Sequence, residues 1–225
     1  MVMLFNLFIF FVIALIFLHV RKHRKTSNDM EVLVFEGNKE KLDIMIQFKQ
    51  PILLQLNEKI VEHCNYDAIE KIGSTGELGL TFIKENGLLS FFESVFFRPV
   101  SNYSDYSILL GGTSDYTYDI YSQYFMVTQG SVVATLVPPI HLKGASKNYY
   151  DMKFVHGELE AEKTLPVTLK AGDCLFIPAL WGYKLEFQEK TSVARFIYKS
   201  WMSIFSYADY YALHFLQKMN TTYRF

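Results

Sequence analysis

Eight short runs of β-prone residues follow one another in the chain from residue 78 onward. Clusters of Gly, Pro, Asn and Asp separate the runs, and this spacing is typical of an antiparallel sandwich or barrel. The runs are LGLTFI (78–83), SFFESVFF (90–97), YFMVTQ (124–129), SVVATLV (131–137), PVTLK (166–170), DCLFIPA (173–179), KLEFQ (184–188) and SVARFIYKSW (192–201). Because 50% of the 225 residues are hydrophobic, one domain can bury a full core. We therefore predict a mainly β domain over residues 32–200.

The N-terminal segment is apolar over the length of a membrane span. Every side chain from Val2 to Leu18 is apolar except that of Asn6. As a helix, the run through Val20 would cover about 28 Å at roughly 1.5 Å per residue. Basic residues follow directly, namely Arg21, Lys22, Arg24 and Lys25. Since basic flanks tend to stay in the cytosol, we predict a single-pass membrane protein with residues 1–20 as the anchor and the C-terminal domain cytosolic.

A cleaved signal peptide is the alternative explanation of this segment. Such a peptide needs a basic stretch before the apolar run, a shorter apolar run and a cleavage site with small residues, and the sequence has none of these. Glycosylation sequons at Asn102 and Asn220 provide a test of sidedness, because only a lumenal domain receives glycans. We interpret residues 21–31, which are basic and polar, as a juxtamembrane linker.

Charge and cysteine content exclude several classes of function. The formal net charge is -1 and no cluster of Lys or Arg alternates with aromatic residues, so we expect no binding to nucleic acid. The two cysteines are Cys64 and Cys174, and Cys174 lies in an apolar run where a buried thiol is usual. A disulfide framework is therefore not expected.

Two segments show apolar residues at helical spacing. The first covers residues 58–72, and we predict a helix there. The second begins at Trp201, and its apolar positions are Ile204, Phe205, Ala208, Tyr211, Ala212, Phe215 and Met219. We predict a C-terminal helix over residues 201–219, which covers the β domain or pairs with a second copy to form a homodimer.

Two stretches, at 117–139 and 169–198, share a recognisable order of residues. The first contains Thr117-Tyr118-Asp119, then Gly130 after ten further residues, then Leu136-Val137-Pro138-Pro139. The second contains Gly172-Asp173, a hydrophobic run ending at Pro178, then Trp181 and Tyr183. This layout resembles the cupin-like, Jumonji-C-related family of iron and 2-oxoglutarate dependent oxygenases. The resemblance implies a double-stranded β-helix (cupin or jelly-roll) barrel with flanking helices.

The same resemblance assigns the metal-ligand positions to Thr117, Asp119 and Tyr183, where the family has His, Asp and His. A ferrous site of this class needs two imidazoles and one carboxylate. Thr117 offers a neutral hydroxyl, and the reference pKa of a tyrosine is about 10, so Tyr183 would ionise only on a metal that is already bound. We therefore expect no metal site and no resident cofactor.

Three further positions bear on cosubstrate binding. The family's lysine for the distal carboxylate corresponds to Val132, and loss of that contact removes about 1.5–3 kcal/mol of binding. Arg195 lies on the predicted strand after Tyr183, where some relatives use an arginine for the same carboxylate. Gln123 lies where the family often has a pocket-lining asparagine. If Fe(II) and 2-oxoglutarate bind, Arg195 and Gln123 are the predicted cofactor contacts.

The leading hypothesis is a non-catalytic, membrane-anchored binding or assembly module. Its emptied pocket would be lined by aromatic residues, among Tyr118, Tyr121, Phe125, Trp181 and Tyr183, although Phe125 and Trp181 are more simply explained as core. One alternative is a membrane-associated hydroxylase with an atypical iron site built around Asp119, Tyr183 and Arg195. Another is a structural component that links membrane to shell in a large DNA virus particle. The expected partners are a lipid bilayer and a protein or second copy.

Overall fold

A computed structural model describes residues 2–35, 39–55, 76–95, 103–142, 154–156 and 163–222. The helices within these ranges are α1 (Val2–Arg24), α2 (Lys39–Ile46), α3 (Gly76–Glu85), α4 (Leu88–Val95), α5 (Trp201–Ser206) and α6 (Ala208–Thr222). The strands are β1 (Leu33–Phe35), β2 (Ile52–Gln55), β3 (Tyr103–Leu110), β4 (Tyr116–Tyr118), β5 (Gln123–Gln129), β6 (Ser131–Val137), β7 (Phe154–His156), β8 (Leu165–Lys170), β9 (Asp173–Ile177), β10 (Gly182–Phe187) and β11 (Ser192–Lys199). The predicted mainly β class is confirmed.

The strands form two sheets. One has six strands in the order β1-β2-β9-β5-β11-β3, and the other has five in the order β7-β4-β10-β6-β8. All pairings are antiparallel except that of β1 with β2. The sheets pack face to face, because inward side chains of both contribute to one buried apolar cluster that includes Phe125, Val193 and Leu136. Within the described residues the strands thus form two open sheets with flanking helices, and no closed barrel.

Two of the eight predicted strands are wrong. The runs at 78–83 and 90–97 lie largely in the helices α3 and α4. In α4 the buried side chains are Leu88 and Phe92, four residues apart and on one helical face, whereas a strand would bury alternate residues. Gly87, with φ +70°, turns the chain between the two helices. The aromatic residues that suggested β structure bury one side of each helix, and burial overrides intrinsic propensity.

The helices α3 and α4 belong to a second hydrophobic cluster, on the outer face of the six-stranded sheet. Phe92 stacks on Phe196 of β11 with 4.0 Å between ring centroids, and it meets Tyr124 of β5 edge-on at 5.2 Å. Leu42 of α2 is buried in the same cluster. One sheet therefore carries two cores, one under the helices and one facing the other sheet.

The N-terminal helix α1 is long and apolar enough to cross a membrane, by length and composition. Its large apolar side chains from Met3 to Leu18 are exposed. The helix continues through the first basic residues to Arg24, and the rest of the predicted linker contacts the β domain. Thr26 Oγ1 donates to the carbonyl of Lys49 at 3.0 Å, and Trp181 Nε1 donates to that of Ser27 at 3.1 Å.

The C-terminal segment forms two helices, whereas one helix over residues 201–219 was predicted. Helix α5 begins with a capping box, in which Ser200 and Ser203 each accept a hydrogen bond from the other's backbone N–H. The chain turns at Tyr207, which is buried, and α6 then runs from Ala208 to Thr222. The helix predicted over residues 58–72 lies outside the described residues.

Candidate functional site between the two sheets

The residues that the resemblance assigns to a metal site come together between the two sheets. Thr117 of β4 is the register partner of Tyr183 of β10. Asp119 follows β4 directly, Gln123 begins β5, and Arg195 lies in β11 opposite Phe125. The residues that the two sequence stretches singled out therefore lie on, or directly beside, neighbouring strands of both sheets.

Arg195 points into the space between the sheets because of its position in the strand alternation. Its neighbours Ala194 and Phe196 belong to the outer cluster under the helices. Val193, two residues earlier, belongs to the cluster between the sheets. Since side chains two apart share a face of a strand, Arg195 lies on the inner face. Its side chain is 25% exposed.

Four polar side chains form a connected network at this site. Arg195 Nη2 donates to Asp119 Oδ2 at 3.3 Å, and Arg195 Nε donates to Gln123 Oε1 at 2.7 Å. Tyr183 Oη donates to the same Gln123 oxygen at 3.1 Å. Gln123 is 1% exposed and Tyr183 is 7% exposed. The network links both sheets through one guanidinium and one amide oxygen.

The Asp119 carboxylate already has partners on both oxygens. The backbone N–H of Tyr121 donates to Oδ1 at 3.1 Å, while the Arg195 guanidinium holds Oδ2. The carbonyl of Asp119 accepts from the Leu180 N–H at 2.7 Å, which connects β4 to the turn before β10. Asp119 is thus fixed by its backbone and neutralised by an arginine of the same chain.

A pocket of about 370 Å³ opens beside this network. Its polar lining residues are Ser107, Thr113, Ser114 and Thr117, together with Tyr183 and Arg195. Leucines and Phe187 form the apolar part of its wall. Ser114 Oγ accepts a hydrogen bond from the Leu185 N–H at 2.8 Å, so that hydroxyl is held in place.

The donor set of this site does not fit the ferrous iron of the family. Thr117 presents a neutral hydroxyl, Tyr183 uses its phenol proton to bond Gln123, and the Asp119 carboxylate is ion-paired with Arg195. A ferrous site needs two neutral imidazoles and a carboxylate that is available to the metal. In the described part of the chain, no group of three His, Cys, Asp or Glu side chains is placed to hold a metal ion.

The expected aromatic lining of the pocket differs from the lining in the structure. Tyr183 lines the pocket. Trp181 and Phe125 are 0% exposed and belong to the core between the sheets, which was the simpler explanation for these two residues. Tyr118 and Tyr121 pack instead in a third cluster with Tyr207. The hydroxyl-bearing residues of the pocket were missed by sequence reasoning, because Ser and Thr carry no distinctive spacing.

Comparisons with known proteins find similar chains among solved structures. No family model and no curated protein matches the chain. Among solved structures, the chain is similar to a crystal structure of hydroquinone 1,2-dioxygenase, a cupin-fold protein, in complex with Cd²⁺ and 4-hydroxybenzonitrile. The identity is 22% and the TM-score 0.35, over 46% of this chain and 63% of that chain. The chain therefore matches less than two thirds of that protein's length, and the mainly β fold rests on its own strand pairings.

Proposed function

We propose that this chain is a single-pass membrane protein whose cytosolic, cupin-like domain is a non-catalytic binding module. The proposal includes the double-stranded β-helix (jelly-roll) topology and the Jumonji-C-related ancestry that the two sequence segments suggest. The observation that carries it is the network in which Arg195 neutralises Asp119 and shares Gln123 with Tyr183.

This network favours binding over iron chemistry for an electrostatic reason. A guanidinium beside Asp119 supplies the positive charge that a metal ion would otherwise bring. A divalent cation at Asp119 would have to displace Arg195 from the carboxylate and would then be repelled by it. In an iron site, two imidazole ligands would offset the cost of displacing Arg195. Here the corresponding positions hold the hydroxyl of Thr117 and the phenol of Tyr183.

The pocket beside the network has the features of a small-molecule site. Its volume of about 370 Å³ lies within the usual range for ligand pockets of roughly 300–1,000 Å³. Hydroxyl-bearing residues and one arginine, interspersed with leucines and Phe187, favour a small organic ligand that accepts hydrogen bonds. A variant that fills the pocket, Ser107→Trp, tests this role. Ligands that raise the melting temperature of the full chain should lose their effect in this variant, and ligands that stabilise both proteins equally would argue against binding here.

The membrane assignment rests on α1 and on the basic residues at its C-terminal end. The positive charges favour a cytosolic domain. The full chain should resist extraction from membranes by alkaline carbonate, and the sequons at Asn102 and Asn220 should remain unglycosylated. Glycans at either position would contradict the proposed sidedness.

The decisive experiment measures iron binding and cosubstrate turnover by the purified full chain under anaerobic and aerobic conditions. We expect no saturable Fe(II) binding and no 2-oxoglutarate decarboxylation. As a matched series, Thr117→His with Tyr183→His restores the imidazoles, and adding Arg195→Met releases the carboxylate. Iron affinity should rise most at the last step. Stoichiometric iron and 2-oxoglutarate turnover in the unmodified chain would overturn the proposal.

A membrane-associated hydroxylase is the second candidate, and one observation favours it. Arg195, the predicted anchor for a cosubstrate carboxylate, does line the pocket, next to Tyr183 and Thr117. Such an enzyme would lose turnover in an Asp119→Ala variant that keeps its fold. In a binding module, the same variant has no turnover to lose.

A further inference from the structure

Helix α6 carries most of its exposed apolar side chains in one stripe, with Leu213, 43% exposed, beside it. The stripe consists of Ala208, Ala212, Phe215, Leu216 and Met219. Positions that follow at intervals of four, three, one and three residues lie on one face of a helix. Phe215 is 61% exposed, Leu216 56% and Met219 47%. This is a continuous apolar surface along nearly the whole helix.

The domain is contacted by the tyrosine-bearing side of α6, which includes Tyr210 opposite the stripe and Tyr211 beside it. Tyr210 and Tyr211 are partly buried against the cluster that contains Ile120 and Tyr121. The hydroxyls of Tyr211 and Tyr121 are hydrogen-bonded to each other. A surface helix of a globular protein normally turns its apolar side inward. Because the larger apolar side chains of α6 face outward instead, the stripe is expected to contact a partner.

The position of the stripe identifies that partner. Arg24, in the last turn of α1, forms an ion pair with Asp209 in the first turn of α6. Its Nε donates to the carbonyl of Ser206, and its guanidinium lies 5.3 Å from the Tyr207 ring centroid. Because α1 would leave the bilayer at this point, the start of α6 lies at the level of the lipid headgroups.

Helix α5 adds exposed aromatic residues at the same place. Trp201 is 49% exposed and Phe205 is 63% exposed, and their ring centroids lie 6.3 Å apart. Helix α5 packs against α1. Tryptophan is enriched where membrane and water meet, because its ring has an apolar body and a polar N–H group.

Basic side chains surround the junction. A pocket of about 850 Å³ at the end of α1 is lined by several of them, namely His19, Lys22, His23, Lys25 and Lys49. Lys49 also holds α1 in place, since its ammonium donates to the carbonyls of Lys22, at 3.1 Å, and of His23. Lys and Arg side chains near an anionic membrane surface are attracted to it. The junction therefore combines an apolar stripe, interfacial aromatics and positive charge.

We infer that the α6 stripe and the α5 aromatics lie in the headgroup region of an anionic leaflet, as a second membrane contact beside α1. This inference rests on the proposed membrane anchoring. The lipid surface, and not a second copy of the chain, would then cover the exposed faces of α5 and α6. Two contacts would fix the orientation of the β domain relative to the bilayer.

The test uses tryptophan emission from the full chain in liposomes that contain phosphatidylserine and lipids brominated near the headgroup end of the acyl chains. Trp181 is 0% exposed, so Trp201 is the accessible reporter in the unmodified protein. In a Trp201→Phe background, Phe215→Trp places a reporter on the stripe. The matched control, Glu189→Trp, places it in the turn before β11, at the far end of that strand from α5.

Brominated lipid should quench Trp201 and the Phe215→Trp reporter strongly and leave the Glu189→Trp reporter unquenched. If brominated lipid quenches the Phe215→Trp and Glu189→Trp reporters equally, in protein that resists carbonate extraction, the inference is overturned while the anchor stands. Crosslinking of two copies through the stripe, without quenching there, would also overturn it. Loss of the protein in carbonate would instead refute the anchoring itself.

Discussion

The two faces of the six-stranded sheet use the same strands for different purposes. Along β11, Ala194, Phe196 and Tyr198 pack under the helices, while Val193 and Arg195 face the other sheet. The outer face is built from stacked aromatic rings. The inner face carries the polar network between an apolar cluster that includes Val193 and another that includes Ile197. The comparison indicates that the helix-covered face supplies stability, which allows the inner face to hold an arginine and a glutamine.

The largest expected effect comes from removing the central ring of the outer face. Phe92→Ala should lower the free energy of unfolding by about 3–5 kcal/mol, because Phe92 is 1% exposed and its loss leaves a cavity. Urea titration of the full chain in detergent, followed by Trp181 emission in a Trp201→Phe background, measures this. Phe205→Ala is the matched control, since that ring is 63% exposed, and should change stability by less than about 0.5 kcal/mol. Similar losses in both variants would refute the role assigned to the outer face.

A smaller effect is expected on the inner face from Arg195→Met. This change leaves the Asp119 carboxylate and the Gln123 oxygen without their cationic donor, at a cost of about 1–3 kcal/mol for a pair that is partly exposed. Adding Asp119→Asn removes the unpaired charge and should recover part of the loss. The same titration of the single and double variants gives their coupling. Strictly additive losses would show that the ion pair does not couple the two residues.

The smallest expected effect comes from Tyr183→Phe, which deletes one hydroxyl. The loss should be about 0.5–1.5 kcal/mol, because Gln123 Oε1 keeps its bond from Arg195. Thermal unfolding of this variant beside Arg195→Met ranks the two donors. A loss from Tyr183→Phe larger than that from Arg195→Met would reverse the order proposed for the network.

Local patterns predicted the strands well both where alternate residues are buried, as in β6, and where nearly every residue is buried, as in β5, β9 and β11. They failed at 78–83 and 90–97, where aromatic residues cover one side of short helices. One of the spaced residues of the two stretches, Gly130, is required at its position for a steric reason. Gly130, between β5 and β6, has φ +76°, and a Cβ there would lie 2.9 Å from the Thr191 Cα, so only glycine fits.

The resemblance singled out residues of the candidate site but not the contacts between them. Resemblance pointed to Asp119, Tyr183, Arg195 and Gln123, and the structure brings all four together. That Arg195 would pair with Asp119, and that Gln123 would join Arg195 to Tyr183, depends on how two sheets pack. No spacing along the chain encodes a distance between strands of different sheets.

The sequence by itself determined the apolar helix, the β-rich class and the hydroxyl side chains at Thr117 and Tyr183, because these depend on composition and on periodicity within a segment. Tertiary structure decided which charges meet and which apolar faces remain uncovered. The Asp119–Arg195 pair joins residues far apart in the chain, and the α6 stripe is exposed because the helix packs on the domain through Tyr210 and Tyr211 instead. Both features follow from long-range packing, which depends on the whole chain at once.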